Sequence, residues 1–146
     1  MSKIRLGILG GGGDSLIGVL HRVASNMFDR YEITGGVFNP DFEENIKFAK
    51  RIGVNTDRVY LDFDTFIEEE VKKSKGDRIE VVSVLTPNFL HFPMAKKLLE
   101  NGFHVICEKP LVLNPWNLDA LQNMEKESGK KVWNILQLRV HQSIIE

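Results

Sequence analysis

Ile4-Arg5-Leu6-Gly7-Ile8-Leu9 runs directly into Gly10-Gly11-Gly12-Gly13-Asp14-Ser15-Leu16-Ile17-Gly18 near the start of the chain. An apolar stretch of strand length meets four consecutive glycines, and Leu16, Leu20, Val23 and Met27 then recur at helical spacing. A strand, a glycine turn and a helix in that order let the backbone approach a pyrophosphate, whose charge the helix N-terminus stabilises. A tight turn without a ligand is the plainer reading, but four glycines exceed what a turn requires. The spacing departs from strict G-x-G-x-x-G: Gly10 and Gly12 supply G-x-G, Ser15 stands at the third small position, and the next glycine is Gly18.

Outward from this turn, strands alternate with helices. Strands are expected over 4–9, 31–38, 58–61, 79–85, 103–107 and 132–138, and helices over 16–28, 43–51, 65–75, 91–101 and from Asn114-Pro115 to Gly129. Gly35 and Gly36 weaken the second strand. Asp64 is the expected cap of the third helix. The Glu68–Lys72 and Glu69–Lys73 spacings on that helix describe a solvated face. In the last helix Trp116, Leu121 and Met124 are expected to point inward. The β-branched run at 79–85 suits a parallel strand covered on both faces. Six strands with interleaved helices and short connections argue for an α/β fold with an open, doubly wound, mostly parallel six-stranded sheet.

Composition narrows the function classes. The 146 residues suit one domain, and 19 Lys+Arg against 20 Asp+Glu supply no basic footprint for nucleic acid. No apolar run approaches the roughly 18–20 residues that cross a bilayer, and no A-x-A-like cleavage site follows the N-terminus. The single Cys excludes an intrachain disulfide and a Cys-rich zinc site. A cytoplasmic chain with no metal, nucleic-acid or membrane partner is expected.

Two further motifs stand at the ends of the fourth and fifth expected strands, where ligands collect in doubly wound sheets. Thr86-Pro87-Asn88-Phe89-Leu90-His91 closes one, and Cys107-Glu108-Lys109-Pro110 closes the next. A lysine held there beside a nicotinamide could hydrogen-bond a substrate hydroxyl and lower its pKa; a plain surface lysine is the alternative. An acidic residue normally reads the adenine ribose about 20 positions past the glycines. Counting 21 positions from Gly18 reaches the neutral Asn39, with Asp41 beyond Pro40 as a candidate helix cap. No Arg or Lys flanks Asn39 in the sequence, which leaves NAD or NADP open with a lean to NAD. Cys107 and His104 read as structural residues of a buried strand, and His21 as a helix-packing residue.

The glycine loop followed by His21, then Thr86-Pro87-Asn88-x-x-His91, then Glu108-Lys109-Pro110 resembles the Gfo/Idh/MocA oxidoreductases, a family that includes inositol, glucose and nucleotide-sugar dehydrogenases. Gln137-Leu138-Arg139-Val140-His141 is similar to a segment of some nucleotide-sugar 3-dehydrogenases, with Gln142 where Pro is usual. The resemblance implies a Rossmann domain over 1–140, with 141–146 starting a connection to a second domain. It implies that Gly10, Gly12, Ser15, Leu16 and Ile17 line the pyrophosphate and adenosine side, and that Asn39 faces the adenine ribose. Thr86, Pro87, Asn88 and His91 would pack near the nicotinamide-side ribose, with Glu108 and Lys109 beside it and Arg139 bordering the nicotinamide. Lys109 would also reach the substrate as the catalytic residue, and Pro110 would fix the loop, in several relatives through a cis bond.

In that family a second, sheet-rich domain holds the substrate and supplies further proton-transfer groups. The expected function is therefore the NAD(P)-binding domain of an oxidoreductase that moves a hydride between a sugar, inositol or nucleotide-sugar carbinol and a nicotinamide, inactive without its second half. The competing class is a free-standing, non-catalytic dinucleotide-binding sensor. Phe89, Leu90, Trp116 and Ile144-Ile145 are expected to expose apolar surface at the strand ends and to favour a homo-oligomer.

Overall fold

The computed structural model describes residues 2–137. Five strands form one parallel sheet: β1 (Ile4–Gly10), β2 (Tyr31–Val37), β3 (Val81–Leu85), β4 (His104–Cys107) and β5 (Val132–Asn134), in the order β2-β1-β3-β4-β5. Helices α1 (Leu16–Asn26), α2 (Phe42–Arg51), α3 (Phe63–Val71), α4 (Asn88–Glu100) and α5 (Trp116–Ser128) fill the connections. The chain leaves β1 toward β2 and returns to the other side of β1 to form β3. That reversal makes a crevice at the carboxyl ends of β1 and β3, the place where doubly wound sheets bind ligands.

The sheet has five strands where the sequence suggests six. Residues 58–61 do not form a strand: Thr56–Arg58 is a 3-10 turn, and Val59 meets Gly36 in a single parallel bridge. The cause is a side-chain cluster that sequence periodicity cannot show. Arg58 is buried with Nη2 2.8 Å from Glu70 Oε1 and Nη1 2.9 Å from Asp77 Oδ1. The Tyr60 hydroxyl donates to Glu70, whose other oxygen accepts the Ile79 N–H at 2.9 Å. Burial, then the Glu70 carboxylate, pushes the Tyr60 phenol well above its ordinary range. Satisfying that buried carboxylate directs the segment toward α3 and away from the sheet edge.

Smaller corrections follow local chemistry. α3 is capped by Asp62, not Asp64, its carboxylate accepting the Thr65 N–H at 2.7 Å, and the helix ends at Val71. The Lys72 ammonium pairs with Glu69 at 2.6 Å, an i,i+3 contact, in place of the i,i+4 pairs. α4 starts at Asn88, three residues earlier than expected, and α5 closes on left-handed Gly129. β5 is confined to Val132–Asn134, and Leu138 lies outside the described residues. The two glycines of β2 leave that strand intact.

The core divides across the sheet. Phe66, Ile79, Val82, Val84, Ala95, Leu98, Phe103, Val105 and Leu121 pack under α3, α4 and α5, and Leu6, Ile8, Phe38, Phe48, Ala49 and Val81 under α2. Helix α1 breaks the pattern. Its apolar residues Leu16, Leu20, Val23 and Met27 are between 49 and 70% exposed, and Trp116, expected inward, is 80% exposed while Leu121 is buried. Amphipathic spacing identified the helix correctly but not a neighbour for its apolar stripe.

Candidate functional site

The glycine turn is shaped by close approach. An added Cβ at Gly12 would stand 2.4 Å from the Phe38 carbonyl oxygen, and one at Gly18 would stand 1.8 Å from that of Gly11. Gly18 is thus the residue that lets α1 pack against the turn, the role a third fingerprint glycine normally plays three positions after the second. Ser15 instead caps the helix, its Oγ accepting the Gly18 N–H at 3.1 Å. The first-turn N–H groups of Leu16 and Ile17 meet no acceptor among the described residues, the orphan donors a phosphate would use.

Positive charge gathers behind the turn. The Arg22 guanidinium donates to the Gly11 carbonyl at 2.9 Å and that of Arg51 to Gly13 at 3.1 Å, and the two flank the Phe48 ring at 4.9 and 5.0 Å. Burial, and then the like charge of Arg51, lowers the Arg22 pKa. Neither forms an ion pair with a carboxylate among the described residues. Both therefore pin the loop carbonyls.

In front of the turn lies a cleft of about 600 Å³ that brings together Gly10, Gly11, Gly12, Asn39, Thr86 and Pro87, with Phe38, Leu61, Phe63, Leu90 and Met94 as apolar walls. Asn39 lies at its rim, its Oδ1 engaged by the Asp41 N–H at 2.9 Å, so its amide donors remain to face a ligand. Asp41 is the α2 cap, accepting the Glu44 N–H at 3.0 Å. A polar cavity of about 290 Å³ adjoins Asn39 and is lined by Gly13, Asp14, Glu44, Lys47 and Arg51. The sequence lacks a cation beside Asn39, but folding brings two there from α2, although Lys47 is paired with Glu44 at 2.7 Å.

A second cavity, about 260 Å³, opens beside α1 and contains Ile17, Leu20, His21, Ser83, Ile106, Glu108, Ile135 and Gln137. Glu108 is 6% exposed. Its carboxylate accepts from His21 Nε2 at 2.9 Å and from Gln137 Nε2 at 2.9 and 3.1 Å. Sequence spacing marks His21 only as a packing residue and gives no sign that it or Gln137 reaches Glu108. Lys109 is exposed at the end of β4 and is followed by a cis Lys109–Pro110 bond. His91 is buried and brackets two loops, with Nδ1 2.8 Å from the Pro110 carbonyl oxygen and Nε2 2.8 Å from that of Thr86. Asn88 is exposed at the start of α4, outside both cavities, and Leu16 lines neither with its side chain. Arg139 and His141 lie outside the described residues.

Two residues read as structural remain so. Burial, then the neighbouring Glu108 charge, pushes the Cys107 thiol up to about 12, far from reactive thiolate. His104 sits at the opposite end of β4, accepting the Lys131 N–H at 3.2 Å, and burial followed by Lys130 lowers its pKa. Among the described residues no cluster of three or more His, Cys, Asp or Glu is placed to hold a metal, and no helix is long and apolar enough to cross a membrane.

The turn, the orphan donors and the cleft at the β1–β3 crevice fit a dinucleotide, and comparison with known proteins agrees. The family described as oxidoreductases with an NAD-binding Rossmann fold matches residues 4–136. An uncharacterized oxidoreductase of Bacillus subtilis is 36% identical over 130 residues, covering 88% of this chain and 33% of that protein. The UDP-N-acetylglucosamine 3-dehydrogenase of Acidithiobacillus ferrooxidans is 26% identical over 127 residues, covering 87% of this chain and 35% of its own length. An Azotobacter vinelandii inositol dehydrogenase homolog, solved with NADH and myo-inositol, superposes with a TM-score of 0.86 at 34% identity, covering 91% of this chain and 34% of that one. The chain thus spans about a third of the relatives it matches. It belongs to the Gfo/Idh/MocA oxidoreductases, as an NAD-binding Rossmann-fold domain of that family.

Proposed function

We propose that the chain is the dinucleotide-binding part of an oxidoreductase acting on the CH–OH group of a sugar, inositol or nucleotide sugar. The observation that carries this reading is the exposed Lys109 at the end of β4, held between the buried Glu108 and His91 and next to the cavity beside α1. The 600 Å³ cleft would take the adenosine half, with Gly10, Gly12 and the Leu16 and Ile17 N–H groups at the pyrophosphate and Asn39 at the ribose. Thr86 and Pro87 line this cleft, His91 packs behind them from α4 with Nε2 2.8 Å from the Thr86 carbonyl oxygen, and Asn88, exposed at the start of α4, is read as reaching the nicotinamide-side ribose. A bound nicotinamide supplies the hydride acceptor. Lys109 donates a hydrogen bond to the substrate oxygen, which lowers the pKa of the hydroxyl and favours its oxidation.

Substrate enclosure is assigned to sequence beyond this domain, because the relatives are about three times longer than the aligned span. Of the expected apolar patch, Phe89 and Trp116 are 67 and 80% exposed, Leu90 instead lines the cleft, and Ile144 and Ile145 lie outside the described residues. Phe89 and Trp116, with Leu113, are read as surface for that half or for a second copy, and a homo-oligomer is expected. The chain is assigned to the cytoplasm. Calorimetric titration of this chain with NADH and NADPH tests the reading. Saturable, weak binding supports it, and no heat at millimolar dinucleotide overturns it. Binding without turnover on any polyol in the full reading frame would instead favour a non-catalytic module.

A further inference from the structure

Glu108 is a buried carboxylate in a mostly apolar cavity, and three donors of the chain converge on it. Oε1 lies 2.9 Å from His21 Nε2 and 2.9 Å from Gln137 Nε2, while Oε2 lies 3.1 Å from the same Gln137 nitrogen and 3.3 Å from the backbone N of Lys109. A carboxylate offers about four lone-pair directions, and three donor nitrogens from this chain converge on this one. It only accepts, which places the proton of the His21 contact on Nε2. The three donors come from separate parts of the fold: α1, the segment after β5, and the backbone of the lysine itself.

The Glu108 backbone is fixed as well, its N–H donating to the Val84 carbonyl at 3.1 Å. On the far side of Lys109, the Pro110 carbonyl is held by His91 at 2.8 Å. The lysine backbone is therefore clamped on both sides while its side chain stays exposed. We infer that His21 and Gln137 are positioning residues for Lys109, acting through the Glu108 carboxylate, so that α1, which carries the phosphate turn, and the lysine loop hold one geometry. This role rests on the dinucleotide reading above and assigns Glu108 to support of the lysine.

The test compares two ligands on the same chain. ADP reaches only the adenosine and pyrophosphate half, whereas NADH also needs the half built around Glu108. His21→Leu and Gln137→Leu each leave part of a buried charge unpaired, and each should weaken NADH about tenfold while ADP affinity stays within about twofold. His21→Gln restores an N–H donor and should recover NADH binding. If His21→Leu does not fold, the exposed Gln137 position asks the same question without touching the helix. Equal loss of both ligands, or NADH affinity unchanged in His21→Leu and Gln137→Leu, overturns the inference. A wild-type chain that binds neither ligand removes the dinucleotide reading and this role with it, whereas the variant pattern removes this role alone.

Discussion

The two halves of the candidate site are built from different materials. The adenosine half is mostly backbone and apolar wall: a glycine turn against the Phe38 carbonyl, orphan N–H groups at the start of α1, and a 600 Å³ cleft. The cavity beside α1 is smaller, about 260 Å³, runs under the helix as far as Leu6 and Tyr31, and is organised at its Glu108 end by side chains, with the carboxylate joining His21, Gln137 and the Lys109 backbone. Backbone geometry survives most substitutions except those that add a Cβ in a forbidden place, whereas a side-chain network fails when one partner is lost. On the proposed reading the division separates holding a dinucleotide from aiming a reactive group, and variants can test each half without the other.

The largest expected effect lies in the side-chain half. Lys109→Met, assayed in the full reading frame that carries this domain, should lower turnover by about 10²–10⁴-fold, the usual worth of acid–base assistance, while NADH weakens by about tenfold, the loss also expected when His21 or Gln137 is removed. Steady-state kinetics beside direct titration checks this, and equal losses in both would make Lys109 a binding residue.

Next is the backbone half. Gly12→Val places a Cβ 2.4 Å from the Phe38 carbonyl oxygen, so ADP and NADH should both weaken by at least about a hundredfold, roughly 2.8 kcal/mol. Calorimetry with both ligands tells the halves apart, because a loss confined to NADH would mean that the turn does not hold the pyrophosphate.

A finer comparison falls within the adenosine half. Asn39 presents amide donors beside Lys47 and Arg51, an arrangement that tolerates a 2′-phosphate. Asn39→Asp should shift the NADH-to-NADPH preference ten- to a hundredfold toward NADH by repelling that phosphate. An unchanged ratio would leave the ribose to another residue of the cleft, and the α2 cap Asp41 is the next to test.

The smallest effect on binding is expected at Cys107, a core residue that lines neither cavity. Burial raises its pKa from 9.0 to about 12, so disulfide-exchange labelling at pH 8 should be about a thousandfold slower than for a free thiol. Because the fold favours the neutral thiol, the associated stability is present below pH 9.0 and is lost as pH rises toward about 12. Fast labelling of the native chain at pH 8 would contradict the buried position.

Local chemistry made much of this legible in the residues alone. The glycine run, the β-branched segment ending at Leu85, the Thr86-Pro87-Asn88 turn and Glu108-Lys109-Pro110 all carry their meaning in neighbours along the chain, since strand ends, caps and turns are short-range features. The same holds for the helical period of α1 and the stop at Gly129. What failed needed a partner distant in sequence. Residues 58–61 read as a strand, but Glu70 and Asp77 draw Arg58 and Tyr60 inward, and Asp62 takes the cap two residues before Asp64.

By itself, the sequence determined the α/β alternation, the phosphate turn, the lysine loop and the family, because each is written in contiguous residues whose spacing is its own signal. Only tertiary structure decided that Gly18 completes the turn, that Lys47 and Arg51 reach the Asn39 pocket, and that His21 and Gln137 meet on Glu108 across 87 and 29 residues of chain. The physical reason is that hydrogen bonds and charge pairs act over a few ångströms of space whatever the distance along the chain. The parallel crossover connections of this fold bring those distant residues together at one end of the sheet.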